Sequence, residues 1–419
     1  MICAPLMAES VEQMLSDMHQ AKMEGADVVE IRLGCISDFQ PHRDLKLLLE
    51  NKPLPVVVVY GPTWEGGEYE GDEQERLQAL LLAKDLGADY IELELKVASA
   101  FMKEDKLDRL NSKIIVSCYL DSLASLGEDI HCLIAEMRSM NADIIKFVSG
   151  TMIAYCTGER GLISQLLSFK FGGVFAYGSL EGTEICGLPS IDSLRQAYGV
   201  KNIDKNTVVF GLISKPVSHS KGPILHNPTF RHVCYNGIYV PMLVDDLKAF
   251  FIAYTSSDFA GFSVGIPYKE AVIDFCDEVH PCSAGLCLLA FARWVKLQEA
   301  LLRAKSLAAA VSGKALPFED LIGFRPEKDA ILANATPLGM HQNTDRIPVP
   351  EETLRDYKLV FDAVYTPRKT RLLKEAKAAG AIVVSGVEMF LRQATAQFSL
   401  FTGHKAPEEF MRGIILEKF

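Results

Sequence analysis

The stretch ADIIKFVSGTMIAYCTGERG, residues 142–161, contains two apolar runs, DIIKFVS and MIAYCTG, that start about nine residues apart. Each run has the length and composition of a β-strand, and the first includes Lys146. Neighbouring parallel strands need a crossover of about a dozen residues or more. The stretch therefore indicates that a helix has been lost, unless one run is not a strand or the sheet is locally distorted.

The first half of the chain repeats a strand-plus-helix pattern on both sides of this stretch. Most of its apolar runs start about 21 to 35 residues apart, with amphipathic stretches between them, which is typical of βα units. Eight such runs are the number that closes a (β/α)8 barrel, in which polar groups gather at the carboxyl ends of the strands. The runs are ICAPLMA, VVEIRLG, PVVVVYG, YIELELK, KIIVSCY, DIIKFVS, MIAYCTG and GVFAYGS.

The second half begins after the polar linker GVKNIDKNT and reads as open-sheet α/β units. Its strands are predicted at VVFGLIS, GIYVPMLV, GFSVGIP, AILANAT, KLVFDAV and AIVVSG. We therefore predict a barrel over residues 1–200 and a second α/β region over residues 208–419.

The composition excludes several classes of protein. A net charge of −11 without a basic patch argues against a nucleic-acid partner, and the apolar runs are too short to cross a membrane. The ten cysteines form no C-x-x-C pair and no zinc spacing, which favours free thiols in a reducing compartment and no metal site. No signal or transit peptide precedes MICAPLMAES, so the cytosol is one expected location.

Lys146 has two interpretations. It lies either at a strand rim with its ammonium in water, or in an apolar barrel mouth. In the second case desolvation would lower its pKa and allow it to act as a Schiff-base nucleophile.

Long motifs carry a resemblance to the plant bifunctional 3-dehydroquinate dehydratase/shikimate dehydrogenase family over nearly the whole chain. ICAPLMA, EIRL, WEGGEYEGDE and KFGG are similar to the type I dehydratase half. KPVSHSKGPILHN, DFAGFSVGIPYKEA, VFDAVYTPR and SGVEMFLRQA are similar to the dehydrogenase half.

For the barrel, the resemblance implies an imine between Lys146 and 3-dehydroquinate. The iminium then acts as an electron sink while a base removes the neighbouring proton and water is lost, without a metal. Glu30, Arg32 and Glu65 match substrate-contacting residues.

For the second half, the resemblance implies an NADP-dependent shikimate or quinate dehydrogenase with Lys269 as its catalytic lysine. Its lobes would be a substrate-binding lobe at 208–281, a truncated nucleotide-binding lobe at 282–390 and C-terminal helices at 391–419. The resemblance also implies a monomer in the plastid stroma. Matching substrate contacts are Ser220, Tyr365, Gln393 and Gln397, and matching cofactor contacts are Asn334, Thr336 and Met389.

The barrel half departs from the family pattern at its proton-transfer and carboxylate-binding positions. Gly61 and Gln165 stand where the family has arginines, and Tyr119 stands where it has the acid/base histidine. The late loop has become Cys186-Gly187-Leu188-Pro189. Loss of a general acid/base alone costs about 10²–10⁴ in rate, so we expect the dehydratase to be severely weakened.

The second half departs at both its substrate and its nucleotide sites. Gly222 and Gly265 replace hydroxyl residues, and the opened space favours quinate over shikimate. The stretch PCSAGLCLLAFARWVKLQEALLRAK, residues 281–305, reads as one helix where the family has its catalytic aspartate and Gly-rich loop. No G-x-G-x-x-G occurs in the chain, so the predicted Rossmann lobe is incomplete.

Three hypotheses follow. The chain is an active enzyme of this family, an impaired relative that binds ring carboxylates, or the product of a mis-spliced or mispredicted message that has lost exons.

Overall fold

The computed structural model describes residues 1–103, 112–120, 136–137, 139, 142–149, 152–153, 161–183, 185, 187–217, 220–278, 305, 308–309, 324–327 and 329–418. The chain forms two compact units, Met1–Phe262 and Ser263–Phe419. The linker predicted near residues 200–207 lies inside the first unit. The helix predicted over residues 281–305 lies outside the described residues except for Lys305.

Six strands of the first unit lie side by side in chain order and run parallel. The α/β class predicted from the sequence is therefore confirmed. The strands are β1 (Ile2–Leu6), β2 (Val28–Arg32), β3 (Val56–Val59), β4 (Tyr90–Glu94), β5 (Lys113–Leu120) and β6 (Ile144–Ser149). Helices α1 (Val11–Glu24), α2 (Pro41–Glu50), α3 (Glu73–Asp85) and α4 (Leu95–Lys103) follow the first four strands.

The seventh apolar run breaks the parallel pattern. Strand β7 (Met152–Ile153) pairs antiparallel with β6, whereas β8 (Ala176–Tyr177) pairs parallel with β1. Seven parallel strands thus form a curled half-barrel sheet, with the antiparallel β7 at the end opposite β8. An antiparallel pair can be joined by a tight turn, so no crossover helix is needed after β6. The sheet is locally distorted, which was one of the alternatives left open by the sequence.

Helix caps in this unit follow local sequence signals. Ser10 Oγ accepts a hydrogen bond from Gln13 N at 3.2 Å and starts α1. Gly25, at φ 91°, ends the same helix in the left-handed conformation that glycine adopts without steric cost. The side chain of Asp72 starts α3 by accepting from the backbone N–H groups of Gln74 and Glu75.

The interior of the curled sheet has an apolar layer built from side chains of several strands. On three of these strands the residue two positions further toward the carboxyl end is polar, because alternate residues face one side of a sheet. These residues are Glu30, Glu92 and Ser117. A short helix, α5 (Leu162–Leu166), precedes β8. The buried members of the apolar layer are Cys3, Val28, Val57, Val59, Tyr90, Ile115, Phe175 and Tyr177.

The chain then forms a three-stranded sheet in the order β10, β9, β11. Its strands are β9 (Val208–Ser214), β10 (Gly237–Leu243) and β11 (Phe259–Val264), and β9 and β10 are parallel. Helices α6 (Gly222–His232) and α7 (Leu247–Ala253) connect them.

The second unit contains three parallel strands, β12 (Ala330–Asn334), β13 (Tyr357–Asp362) and β14 (Ile382–Ser385). Helix α8 (Arg371–Ala378) crosses between β13 and β14, and α9 (Gly386–Thr402) and α10 (Glu408–Lys418) follow. Leu354, Val360 and Leu372 are central to the core of this sheet.

Within the described ranges, no helix is both long enough and apolar enough to cross a membrane. The five cysteines in these ranges, Cys3, Cys35, Cys118, Cys234 and Cys276, are free thiols.

Candidate active site

Four polar side chains from four strands meet inside the curled sheet. Lys146 comes from β6, Glu30 from β2, Glu92 from β4 and Tyr177 from β8, and all four are buried. The alternation of strand side chains brings them to one layer above the apolar core.

The ammonium of Lys146 is held between two carboxylates. Its Nζ donates to Glu30 Oε2 at 2.9 Å and to Glu92 Oε2 at 2.7 Å. Lys146 is 7% exposed, Glu30 1% and Glu92 2%, so the ion pairs are shielded from water. The amine is buried, as the second interpretation of Lys146 expected. Its immediate neighbours are anions, however, whereas the sequence suggested an apolar barrel mouth.

Glu30 is the most tightly held of these carboxylates. Its Oε2 also accepts from the Tyr177 hydroxyl at 2.8 Å, and the Arg32 guanidinium lies 3.4 Å from Oε1. Burial raises the pKa of Glu30, but the charges of Lys146 and Arg32 and the hydrogen bonds from Lys146 and Tyr177 outweigh it and lower that pKa to about 2. Glu30 therefore stays ionised at neutral pH.

Glu65 lies in a different electrostatic environment. It ends the single 3-10 turn Thr63–Glu65 after β3, and Gly66, at φ 78°, reverses the chain behind it. Burial and the nearby carboxylates of Glu94 and Glu92, partly offset by Lys96 and Arg76, raise the pKa of Glu65 to about 7. Its Oε2 is buried and makes no hydrogen bond within the described ranges. This carboxyl can exchange a proton near neutral pH.

A buried ion pair next to this layer was missed by the sequence reasoning. Arg76 of α3 donates to Glu94 Oε1 at 3.0 Å and to Glu94 Oε2 at 2.7 Å, and its Nη1 also reaches the Tyr60 carbonyl at 2.6 Å. The guanidinium is fully buried and also bonds Glu73. It is thus committed to protein groups and does not replace the arginine absent at Gly61.

Gln165 stands at the second position where the family has an arginine, and its side chain bonds to the backbone of the sheet. Its Oε1 accepts a hydrogen bond from Tyr177 N at 3.0 Å. This bond gives a hydrogen-bond acceptor to a backbone amide of β8. Its Nε2 is buried without a hydrogen bond to the described residues. At the position of the missing histidine, the side chain of Tyr119 lies outside the described part of the structure.

A largely apolar cavity of about 620 Å³ opens between β6 and β8, where a parallel seventh strand would run. Ile144, Ile163, Leu167, Phe171 and Phe175 supply much of its wall, and Lys146 and Tyr177 also line it. The departure of β7 from the parallel sheet therefore leaves space beside the lysine.

In the first unit, the predicted substrate contact Ser220 lies two residues before α6. Its Oγ accepts from Gly222 N at 3.2 Å, within a local turn. The expectation that Gly222 opens space is wrong, because a Cβ there would lie 2.5 Å from the Tyr239 ring. Tyr239 is buried and stacks on His226, with ring centroids 4.7 Å apart. The space that a side chain at position 222 would need is therefore filled by an aromatic ring.

In the second unit, Lys269 lies half-buried in a turn after β11. Met389, Gln393 and Gln397 repeat every fourth residue of α9 and share one face of that helix. Tyr365 is half-buried against Phe390, with ring centroids 5.4 Å apart.

Asn334 and Thr336 form part of an internal network. Asn334 Nδ2 donates to Leu338 O at 3.1 Å and to Asp362 Oδ1 at 3.0 Å. Its Oδ1 accepts from Thr336 N and Oγ1. The side chain of Asn334 therefore has no spare donor for a cofactor.

Glu92 and Tyr177 were not among the site residues predicted from the sequence. The alternation in YIELELK could have identified Glu92, because buried carboxylates at every second position of a strand face one side. Tyr177 carries no comparable signal, since a tyrosine in GVFAYGS fits a core strand equally well.

Three family profiles match the chain. Type I 3-dehydroquinase matches residues 2–151 and 149–205, and the shikimate dehydrogenase substrate binding domain matches residues 212–286. The shikimate 5'-dehydrogenase C-terminal domain matches residues 386–416.

Curated relatives match across both halves. The bifunctional 3-dehydroquinate dehydratase/shikimate dehydrogenase, chloroplastic, of Arabidopsis thaliana is 40% identical over 500 residues, covering 98% of this chain and 83% of the relative. That alignment is longer than the 419 residues of this chain, so the relative has residues that this chain lacks. Shikimate dehydrogenase (NADP(+)) of Thermococcus kodakarensis is 32% identical over 268 residues, covering 51% of this chain and 98% of the relative.

Among solved structures, a shikimate dehydrogenase in complex with NADP+ is similar with a TM-score of 0.43 and 26% identity. The match covers 52% of this chain and 97% of that one.

Proposed function

The chain belongs to the family of bifunctional 3-dehydroquinate dehydratase/shikimate dehydrogenases, and on this premise we propose that Lys146 forms an imine with 3-dehydroquinate. The observation that carries the proposal is the burial of the Lys146 amine among polar residues of three other strands. Once deprotonated, the Lys146 amine is a nucleophile that can attack a ring carbonyl.

The imine prepares the ring for loss of water. The positively charged iminium nitrogen draws electrons from the neighbouring carbon, so a base can remove a proton there and the ring hydroxyl leaves. Glu65, with a pKa of about 7, supplies a carboxyl that can take or return a proton at neutral pH.

We propose that turnover of this half is slow. The arginines of the family are absent at Gly61 and Gln165. Arg76, which lies nearby, is paired with Glu94 and cannot replace the first one. The neutral amide of Gln165 is bonded to the β8 backbone and cannot replace the second one. A substrate carboxylate without those partners forgoes about 1.5–3 kcal/mol per charge-assisted hydrogen bond. We therefore expect a raised KM and a lowered kcat.

For the second unit we propose that Lys269, Tyr365, Gln393 and Gln397 bind a ring carboxylate such as quinate or shikimate. Within the first unit, we propose Ser220 as a separate contact for a carboxylate. Relatives of the second half of the chain are named for NADP+, but the residues here do not fit a dinucleotide. No two glycines of the chain are separated by a single residue, so the Gly-rich turn that binds a diphosphate is absent from the sequence. The amide of Asn334 is also saturated internally.

Two further expectations rest on the family alone. The Arabidopsis thaliana relative is named as chloroplastic, and we propose the plastid for this chain, with the cytosol as the alternative. We also propose that the chain is a monomer.

Reductive trapping tests the imine. Borohydride added to the protein with 3-dehydroquinate should attach one reduced ring, and peptide mapping should locate it on Lys146. The Lys146→Met variant should gain none. Trapping on other lysines with equal efficiency, or none on Lys146 at saturating substrate, contradicts the proposed chemistry.

A nicotinamide assay tests the second half. Protein mixed with NADP+ and quinate or shikimate should give almost no rise in reduced-nicotinamide absorbance. Strong turnover would show that a diphosphate site exists despite the missing glycines.

A further inference from the structure

The two carboxylates that share the Lys146 ammonium have different surroundings. Glu30 is held from several sides, by Lys146, by the Tyr177 hydroxyl at 2.8 Å and by the Arg32 guanidinium at 3.4 Å. Each of these partners stabilises the ionised carboxylate, and they lower the pKa of Glu30 to about 2 against the effect of burial. Such a group is a poor proton acceptor.

Glu92 lacks that support. Within the described ranges, its one hydrogen-bonded partner is the Lys146 ammonium at 2.7 Å. Its carboxylate repels, and is repelled by, those of Glu65 and Glu94. Glu92 thus has the Lys146 ammonium as its hydrogen-bond donor and other carboxylates nearby, whereas Glu30 also receives the Tyr177 hydroxyl and the Arg32 guanidinium. Among the described residues, the titratable groups that interact with Glu92 or share its ammonium partner are Cys3 of β1, Glu30 of β2, Glu65 after β3, Glu94 of β4 and Lys146 of β6.

We propose that Glu92 is the base that deprotonates Lys146 for imine formation, while Glu30 remains the fixed counter-ion. The inference rests on the proposed function in one respect, that Lys146 attacks a carbonyl carbon. It adds a catalytic residue and divides two roles between two otherwise similar carboxylates.

The proton balance of the step is complete without any further reactant. Glu92 takes one ammonium proton, and the amine nitrogen then forms a bond to the carbonyl carbon. The proton passes from Glu92 to the carbonyl oxygen, and Glu92 accepts a second proton from the nitrogen. When that proton also reaches the oxygen, the carbon–oxygen bond breaks, water leaves, and the iminium and the Glu92 carboxylate remain.

The geometry suits this exchange. Glu92 Oε2 lies 2.7 Å from the nitrogen, so the first transfer needs no movement of either strand. Glu30 remains 2.9 Å from the nitrogen and can stabilise the positive iminium that replaces the ammonium. The two acids therefore contribute at different stages of the same step.

The test compares Glu92→Gln with Glu30→Gln in the full-length protein. Both variants remove one charge and keep a polar side chain beside Lys146, so they form a matched pair. Rates of labelling of the Lys146 peptide are measured with cyanoborohydride from pH 6 to pH 10. Two carbonyl probes are used, 3-dehydroquinate and the small neutral aldehyde propanal.

Glu92→Gln should label about 100-fold more slowly than the unaltered protein at pH 7, as expected for loss of a general base. The rate should recover as pH rises, because hydroxide then removes the ammonium proton. Glu30→Gln removes the counter-ion of the iminium and should also slow labelling, but by a similar factor at every pH from 6 to 10.

The two probes separate this inference from the proposed function. If propanal labels Lys146 in a Glu92-dependent manner while 3-dehydroquinate labels nothing, the base assignment stands and the proposed substrate is wrong. Identical pH profiles in the two glutamine variants overturn the assignment, as does a Glu92→Gln profile parallel to that of the unaltered protein.

A second variant guards against misfolding. Glu92→Asp keeps a carboxylate and should recover at least about 10-fold of the loss at pH 7, with circular dichroism showing that all variants remain folded. Failure of Glu92→Asp to exceed Glu92→Gln in a folded protein contradicts the role of the carboxylate. If Glu92→Gln does not fold, Glu92→Asp decides alone, and a complete loss of labelling in the folded Glu92→Asp protein overturns the proposal.

Discussion

Tyr177 donates its hydroxyl proton to Glu30 Oε2 at 2.8 Å, across the space between β8 and β2. The same oxygen accepts from Lys146, so the phenol supports one side of the ion pair.

Removing that hydroxyl should weaken the fold. We expect Tyr177→Phe to lower the free energy of unfolding by about 1.5–3 kcal/mol, the range for a hydrogen bond to a charged group. Urea unfolding at pH 7 measures the change. Tyr198→Phe is the control, because burial alone raises the pKa of that tyrosine and its hydroxyl has no hydrogen bond within the described ranges. An equal effect of both substitutions contradicts the bond.

The charge of Glu30 should stabilise the protein above acid pH. Its pKa is about 2 when folded and about 4.3 in an unfolded chain, so the stabilisation is complete above pH 5 and disappears as pH falls toward 2. The effect is on the order of 3 kcal/mol. Unfolding of the unaltered protein and of Glu30→Gln should differ most at pH 6 and converge below pH 4. Exposed Glu12→Gln should show no such convergence.

Glu65 should act with the opposite sign. Its folded pKa of about 7 exceeds the unfolded value, so the protein loses stability as pH rises from about 4.5 to 7. Glu65→Gln should remove this slope, and its stability relative to the unaltered protein should rise by about 2–3 kcal/mol between pH 5 and pH 8. Chemical unfolding at both pH values measures it, and a constant difference would contradict the raised pKa.

The Arg76–Glu94 pair should tolerate joint replacement better than single replacement. Arg76→Met leaves a buried carboxylate without its guanidinium and should cost about 3–5 kcal/mol. Arg76→Met combined with Glu94→Gln should recover much of that loss. A double-mutant cycle by urea unfolding gives the coupling energy, and additive losses would mean that the pair is not coupled.

Gly222 should not accept a side chain while Tyr239 is present. A Cβ placed 2.5 Å from the ring forces a shift, and we expect Gly222→Ser to destabilise by about 1–3 kcal/mol. Tyr239→Leu should reduce the cost of Gly222→Ser when the two are combined. Thermal unfolding measures both, and an undiminished cost in the double variant would place the strain elsewhere.

The sequence predicted the repeated βα units well because their apolar runs are regular and their caps are local. Ser10, Gly25 and Asp72 each act through neighbours a few residues away. The direction of β7 could not be predicted, since two adjacent apolar runs are compatible with a parallel pair that has lost its crossover and with an antiparallel hairpin.

The site was predicted in part. Lys146 and Glu30 are in contact, with Arg32 beside Glu30, and their roles in binding and catalysis stay predictions. The roles of Gln165 and Arg76 depend on which distant group each one meets, the β8 backbone in one case and Glu94 in the other. No local sequence pattern indicates such long-range pairings. The contact between Gly222 and the Tyr239 ring is a third pairing of this kind.

A crystal structure of the borohydride-treated complex with 3-dehydroquinate tests the central claim most directly. We predict continuous density from Lys146 Nζ to a ring carbon, with Glu30 and Glu92 still flanking that nitrogen. A ring bound elsewhere, with Lys146 unmodified between its two carboxylates, would contradict the account.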